Sequence, residues 1–184
     1  MHSLIGICGG IGHGKDTMAD YLVDQYGYTK LSMAYPLKSM VCELFNVPNR
    51  YVFGTQEQKS EAIPGLEEWT GRSLLEYFGS DVCRKINPDV WVEAMRREIV
   101  IQRSLNSGMN IVIPDIRFQN ESDMIHDMGG TLVRVIRHGH TSVGTSHFSG
   151  QWFMTADADF TLEAKTVDGL YDIVDSALSL DHLI

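Results

Sequence analysis

A glycine-rich segment near the start of the chain carries the residues whose types and spacing point most directly to chemistry. Gly9, Gly14 and Lys15 fit the pattern G-x-x-x-x-G-K. In such loops backbone N–H groups surround phosphate oxygens and the lysine reaches the β- and γ-phosphates. The competing dinucleotide pattern G-x-G-x-x-G fails, because its last glycine would fall on Lys15 or Thr17. The segment therefore predicts a loop that binds nucleotide phosphates at the start of a helix.

One position of this loop departs from the usual pattern. The residue after the lysine is normally Ser or Thr, and here it is Asp16. A carboxylate can hold Mg²⁺ directly or through water, since this ion prefers oxygen ligands and keeps several waters. Thr17 is then placed to bond the α-phosphate. We expect ATP to be bound by Gly12, His13, Gly14, Lys15, Asp16 and Thr17, with Mg²⁺ as the cofactor.

A second group of charged residues follows a later apolar segment. Residues 111–113 are continuously apolar, as in a parallel strand buried on both faces, and they lead into Pro114 and Asp115. Parallel strands bring their carboxyl ends to one edge of a sheet, so Asp115 is predicted beside the phosphate loop. There it can orient metal-bound water or a substrate hydroxyl, and Arg117 can pair with a phosphate. The alternative is an ordinary helix start with exposed charges.

Short apolar runs and amphipathic stretches alternate along the chain and must position these residues. Strands are predicted at 4–8, 29–33, 110–113, 131–136 and 159–162, and helices at 17–26, 37–45, 70–86, 89–105, 121–128 and 167–180. Residues 48–64 are predicted to be a loop or irregular insertion, and residues 138–156 a mobile loop. Strand-then-helix order predicts an α/β fold with a parallel sheet covered by helices on both faces. The length predicts a single domain over residues 1–184.

Charge and composition exclude several functional classes. The chain has 15 Lys+Arg and 24 Asp+Glu, a formal net charge of −9, and no basic run of the kind that binds a nucleic-acid polymer. No apolar stretch approaches the roughly 18 residues of a membrane-spanning helix, and the N-terminus lacks the features of a signal peptide. We therefore expect a cytoplasmic protein, in a host cytoplasm if it is viral, whose partners are small molecules.

Five segments of the chain, taken in order, resemble the deoxynucleoside monophosphate kinases of tailed bacteriophages. They are GKDT at 14–17, AYPLK at 34–38, TGRSLLEYFGSD at 70–81 with Arg84, NPDVW at 87–91 and DIRFQNE at 115–121. The resemblance implies a three-layer P-loop kinase fold with a five-stranded parallel sheet. It also implies a nucleotide-monophosphate region at about 34–86, an arginine-bearing lid at about 138–156, and transfer of the γ-phosphoryl group of ATP to a dNMP.

When the family's motif positions are matched to this chain, the resemblance implies particular roles for several side chains. Lys38 and Arg72 would lie along the monophosphate site, and Asp115 and Arg117 would face the substrate. Family members often have basic residues in the loop before Gly14. This chain has Ile11, Gly12 and His13 there, which leaves open any contact of the loop with the acceptor phosphate. His13 could partly substitute for a basic residue or could simply lie on the surface.

The lid is expected to supply an arginine near the moving phosphoryl group, because phosphoryl transfer depends mainly on positioning and charge neutralisation. Arg137, which directly precedes the predicted mobile loop, is the first choice as a catalytic and ATP-binding residue, beside Lys15 and Asp115. Arg134 is second, since strand alternation makes it equally an outward-facing strand residue. Trp152 can stack on the base of the substrate or anchor the loop to the body.

Two other functions remain open from the residues alone. The first is a dephospho-coenzyme A kinase-like or other small-metabolite P-loop kinase, although residues 31–35 lack the acidic pair expected for a coenzyme A acceptor. The second is a non-catalytic ATP-binding switch module, which would need Lys15 but not Arg72, Asp115 or Arg117. A homodimer is the default expectation for a small enzyme of this kind.

Overall fold

The computed structural model describes residues 3–140 and 152–179, which form two compact units. The first unit contains the residues up to Met33 and those from Met95 onward, and the second is Ala34–Ala94. The predicted nucleotide-monophosphate region at about 34–86 falls within the second unit. Most of the predicted lid, residues 141–151, lies outside the described residues.

Seven strands occur in the part of the chain that the structure describes. They are β1 (Leu4–Cys8), β2 (Thr29–Lys30), β3 (Ala62–Ile63), β4 (Leu66–Thr70), β5 (Ile111–Pro114), β6 (Thr131–Arg137) and β7 (Phe160–Ala164). Five of them form one sheet in the order β2-β5-β1-β6-β7, and all pairings in it are parallel. Every residue of the central strand β1 is buried, which explains its continuously apolar sequence. The predicted α/β fold with a five-stranded parallel sheet is confirmed.

Helices cover both faces of this sheet. Successive side chains of a strand point to opposite faces, so Ile5 and Ile7 share one face and Gly6 points to the other. The two isoleucines are fully buried in a core built with helix α1 (Lys15–Tyr26) and helix α8 (Val167–Ser179). Helix α7 (Gln119–Asp127) lies on the other face, where a Cβ at Gly6 would be 2.8 Å from Ile125 Cγ1.

The second unit is mainly helical. It contains α2 (Tyr35–Phe45), α3 (Arg50–Phe53), α4 (Gly71–Glu76), a π-helical turn (Tyr77–Cys83), α5 (Arg84–Ile86) and the first residues of α6 (Val90–Leu105). Strands β3 and β4 pair in an antiparallel hairpin. The prediction of a loop or irregular insertion over 48–64 is therefore wrong in part, since α3 and β3 fall inside it. Both elements are too short to show a period in the sequence.

Two further predictions of local structure need correction. The second strand was predicted over 29–33, but β2 ends at Lys30, although the Leu31 amide still donates to the Val112 carbonyl at 2.9 Å. The single helix predicted over 70–86 is interrupted by the π-helical turn. Within that turn the Gly79 carbonyl accepts a hydrogen bond from Trp91 Nε1 at 3.2 Å. A Cβ at Gly79 would lie 2.8 Å from Leu37 Cδ2. The π-helical turn that interrupts the helix thus contacts residues that are distant from it in sequence.

None of the helices in the described ranges is long and apolar enough to cross a membrane.

Candidate active site

The loop between β1 and α1 has the backbone of a phosphate-binding loop. Gly12 and Gly14 adopt φ values of 76° and 98°, in the left-handed region that favours glycine. A Cβ at Gly9 would come within 2.6 Å of the Val135 carbonyl oxygen. Gly14 is the N-cap residue of α1 and has no side chain with which to cap the helix. The first turn of α1 therefore presents backbone N–H groups and a positive helix end suited to an anion.

Lys15 links this loop to the neighbouring strand. Its Nζ donates hydrogen bonds to the carbonyl oxygens of Gly9 and Gly10, both at 2.9 Å. The same atom lies 3.6 Å from Asp115 Oδ1, at the end of β5. The side chain is only 10% exposed, so the ammonium group is held inside the loop, where phosphate oxygens would replace the carbonyl partners.

Asp115 and Arg117 form a close ion pair beside Lys15. Arg117 donates to Asp115 Oδ2 over 2.5 Å. Burial favours the protonated form of Asp115, but the charge and hydrogen bond of Arg117, together with Lys15, outweigh it and hold the pKa of this carboxyl below its ordinary value. Asp115 is therefore an anion at neutral pH, held between two cations. The predicted proximity of Asp115 to the phosphate loop is confirmed.

A cavity of about 260 Å³ opens beside the loop within the first unit. It is lined by Gly12, His13, Gly14, Lys15, Asp16, Thr17, Val135, Arg137, Ala164, Thr166, Val167 and Leu170. All seven residues predicted to bind ATP, Arg137 among them, thus border one cavity. Sequence reasoning missed the lining residues at the end of β7 and the start of α8. The rule that ligands bind at the carboxyl ends of parallel strands would have indicated that region, although its apolar residues carry no chemical signal.

The two candidate arginines of β6 have different surroundings. Arg137 ends the strand at the cavity. Arg134 instead donates from Nε to the Phe153 carbonyl at 2.9 Å and from Nη2 to the Ala156 carbonyl. Its guanidinium group thus holds the segment that follows residues 141–151 against the sheet. This difference favours Arg137 as the arginine available to a nucleotide.

Asp16 combines a place on the cavity with an existing ion pair. Its Oδ1 lies 3.0 Å from Lys30 Nζ, and the same ammonium is 2.9 Å from Asp20 Oδ1. Among the described residues no group of three or more His, Cys, Asp or Glu is arranged to hold a metal ion. A single carboxylate at the cavity fits Mg²⁺, which keeps several waters and is commonly bound together with substrate phosphates.

His13 and Trp152 lie in packed surroundings. His13 is 7% exposed, and its Nδ1 is 3.3 Å from the Val135 carbonyl oxygen. Its ring meets those of His140 and Phe153 edge to face, and burial lowers its pKa. Trp152 is also only 7% exposed, which favours the alternative that it anchors its segment over the prediction that it stacks on a substrate base.

The other two predicted substrate-binding residues, Lys38 and Arg72, belong to the second unit. The Lys38 ammonium lies 5.4 Å from the centroid of the Phe53 ring. Arg72, in the first turn of α4, is hydrogen-bonded to the side-chain oxygen of Gln56. Thr70 caps this helix in a reciprocal pair of bonds with Ser73, which fixes the turn that carries Arg72. The proposed monophosphate role of both cations stays a prediction.

The sheet is parallel, and its central strand leads through a glycine-rich loop and a lysine into a helix. This arrangement defines the P-loop class of nucleotide-binding proteins, which includes phosphotransferases and hydrolases. The likeness to a solved structure, that of TT1252 from Thermus thermophilus, agrees with this fold. It has a TM-score of 0.55 and 19% sequence identity, and covers 98% of each chain. At this identity the likeness concerns the fold alone.

Sequence relatives narrow the class further. A family model described as deoxynucleotide monophosphate kinase matches residues 49–173. A protein of Acanthamoeba polyphaga mimivirus, named "Putative deoxynucleotide monophosphate kinase", is 33% identical over 187 residues, covering 95% of both chains. The chain belongs to the deoxynucleotide monophosphate kinase family, and it is a kinase. The phosphate loop precedes the segment matched by the family model and lends independent support.

Proposed function

We propose that this kinase transfers the γ-phosphoryl group of ATP to a deoxynucleoside monophosphate, giving ADP and the deoxynucleoside diphosphate. The observation that carries the proposal is a chain of three charged groups at the phosphate loop. Lys15 Nζ lies 3.6 Å from Asp115 Oδ1, and Arg117 Nη2 lies 2.5 Å from Asp115 Oδ2. A switch that only binds ATP needs the lysine but not the second cation. Membership of the family supports a nucleotide as the acceptor.

ATP is the proposed ligand of the cavity beside α1. The loop amides and the N-terminus of α1 bind the β- and γ-phosphates, and Lys15 exchanges the Gly9 and Gly10 carbonyls for phosphate oxygens. Arg137, at the cavity wall, neutralises charge on the phosphoryl group in the transition state. The apolar residues Ala164 and Val167 offer a surface for the nucleoside.

The acceptor requires little base catalysis. A phosphate monoester has a second pKa near 6, so its attacking oxygen is already ionised around neutral pH. The ionised Asp115 therefore acts by holding Lys15 and Arg117 in place rather than by taking a proton. Arg117 is the proposed partner of the acceptor phosphate in the first unit. In-line transfer then proceeds without a covalent intermediate on the protein.

Mg²⁺ is the proposed cofactor, and Asp16 is the residue that would hold it, directly or through water. When bound with ATP, this ion neutralises the charge of the β- and γ-phosphate oxygens. Lys30 already pairs with the Asp16 carboxylate and would share it with the ion.

A coupled assay of ADP release tests the proposal. Wild-type protein with Mg·ATP is offered each dNMP, each rNMP and dephospho-coenzyme A in turn. We expect turnover with at least one dNMP and much weaker turnover with dephospho-coenzyme A. Turnover only with the coenzyme A precursor would assign the chain to the small-metabolite kinases. ATP binding with no turnover on any acceptor would favour the switch module instead.

A further inference from the structure

The backbone at Asp115 adopts an unusual conformation. Its φ is 72°, in the left-handed region, and among the described non-glycine residues only Asn46 shares such a value. Asn46 is the C-cap residue of α2, a position where this conformation is common. Asp115 instead directly follows strand β5. A non-glycine residue in this region costs free energy, so the contacts around it must hold it there.

Two hydrogen bonds hold the backbone directly after Asp115. The Ile116 amide donates to the Ile7 carbonyl at 2.9 Å, and Ile116 is 1% exposed. The Arg117 amide donates to Glu121 Oε2 at 2.8 Å. The first bond ties the segment to the central strand, and the second ties it to helix α7.

Glu121 is a buried carboxylate in the first turn of α7 and is only 3% exposed. Phe118, the N-cap residue, has no polar side-chain atom with which to cap the helix. In a capping box the glutamate at the third helical position bonds the N-cap amide. Here the carboxylate reaches one residue further back, to Arg117. The helix dipole favours its negative charge at this end, and its burial makes the hydrogen bond costly to lose.

We infer that Glu121 is a positioning residue for the phosphoryl-transfer site. By holding the Arg117 amide, it sets the direction in which the Arg117 side chain leaves the backbone and keeps Asp115 in its left-handed conformation. Arg117 in turn holds the Asp115 carboxylate, which lies beside Lys15. The inference rests on the proposed function, because that function gives Asp115 and Arg117 their roles.

Three variants test this inference through steady-state kinetics. Glu121→Ala removes the acceptor of the Arg117 amide, and we expect kcat to fall about tenfold or more while KM for Mg·ATP changes less than about threefold. Glu121→Gln keeps a carbonyl oxygen at the same reach, so it should retain kcat within about threefold. Ser122→Ala is the matched control, because Ser122 is 1% exposed and its hydroxyl has no hydrogen-bond partner among the described residues. It should leave kcat unchanged.

A double-mutant cycle separates positioning from a general structural role. If Glu121 acts through Arg117, then Glu121→Ala should lower kcat further by less than about twofold when Arg117→Ala is already present. An equal loss of kcat in both backgrounds would overturn the inference. Should Glu121→Ala fail to fold, Glu121→Asp replaces it, since the shorter side chain keeps the charge and withdraws it from the Arg117 amide.

Hydrogen exchange of the ¹⁵N-labelled protein gives a readout that needs no turnover. The Arg117 amide should exchange slowly in the wild type and in Glu121→Gln, and at least about tenfold faster in Glu121→Asp. Equal exchange rates in the wild type and Glu121→Asp would overturn the inference even in an active kinase. If the wild type phosphorylates no dNMP, the proposed function fails, and the exchange experiment still decides the part played by Glu121.

Discussion

Lys15 and Asp115 come from opposite halves of the chain, yet Nζ of the lysine lies 3.6 Å from Oδ1 of the aspartate. Their strands, β1 and β5, are parallel neighbours, and Gly6 is in register with Ile113. Because both strands end at the same edge, the residues that follow them meet. The contact joins the phosphate loop to the segment that carries Arg117.

Replacing Lys15 should abolish most of the activity. Lys15→Met keeps the length of the side chain but removes the charge near the transferred phosphoryl group, so we expect kcat to fall by about 100-fold or more. Lys85→Met is the control, since Lys85 is 72% exposed and forms an ion pair with the surface residue Asp81 at 3.5 Å. Steady-state kinetics of both variants with Mg·ATP and the best dNMP measure the effect. A loss below about tenfold for Lys15→Met would contradict the proposed role.

The two arginines of β6 should separate activity from stability. Arg137→Ala is expected to reduce kcat by about tenfold or more with little change in Tm, because the side chain borders the cavity. Arg134→Ala should lower Tm by several degrees, since it leaves the carbonyls of Phe153 and Ala156 without their donor. Kinetics and thermal unfolding of both variants provide the comparison. A smaller loss of kcat in Arg137→Ala would end its assignment to the transition state.

Asp16 and Asp20 provide a matched test of the proposed Mg²⁺ ligand, because both carboxylates pair with Lys30 at about the same distance. Only Asp16 lines the cavity. Asp16→Ala should raise the Mg²⁺ concentration needed for half-maximal activity by about tenfold, whereas Asp20→Ala should leave it unchanged. Titration of activity with MgCl₂ at fixed ATP measures both. Equal curves for the two variants would rule out Asp16 as the ligand.

The ionised Asp115 should also affect the stability of the fold. Its pKa is lower in the folded protein than the ordinary value of 3.8, so its ionisation stabilises the folded state above that pH. The contribution is lost as the pH falls through the folded-state pKa. The difference in unfolding free energy between the wild type and Asp115→Asn should therefore be largest near neutral pH and shrink below about pH 3.8. Urea unfolding at pH 7 and pH 3 measures it, and a difference that does not change with pH would contradict the ion-pair geometry.

The central sheet and the phosphate loop were predictable because their signals are local. The apolar run of β1 and the glycines after it are adjacent in sequence, and the rule for strand ends then placed Asp115 beside Lys15. The π-helical turn was not predictable in this way. Its Gly79 carbonyl accepts a hydrogen bond from the Trp91 side chain, and the local residue pattern does not indicate that contact.

The part of the site that sequence reasoning missed consists of residues without distinctive chemistry of their own. Ala164 and Val167 line the cavity only because β7 ends and α8 begins there. Glu121 occurs within the segment that carried the family resemblance, but its importance lies in its burial and in its bond to the Arg117 amide. Burial of a charged side chain follows from the packing of α7 on the sheet, which residue spacing alone does not reveal.

Gly6 gives the centre of the sheet an influence on this site. A Cβ there would be 2.8 Å from Ile125 Cγ1, so the Ile125 side chain of α7 packs directly against the backbone of β1 at this glycine. The same helix carries Glu121 in its first turn. A methyl group at position 6 would therefore displace the Ile125 side chain or the helix that carries it and Glu121. If Glu121 positions Arg117 as inferred, turnover depends on the packing between β1 and α7 as well as on the residues that contact the substrates.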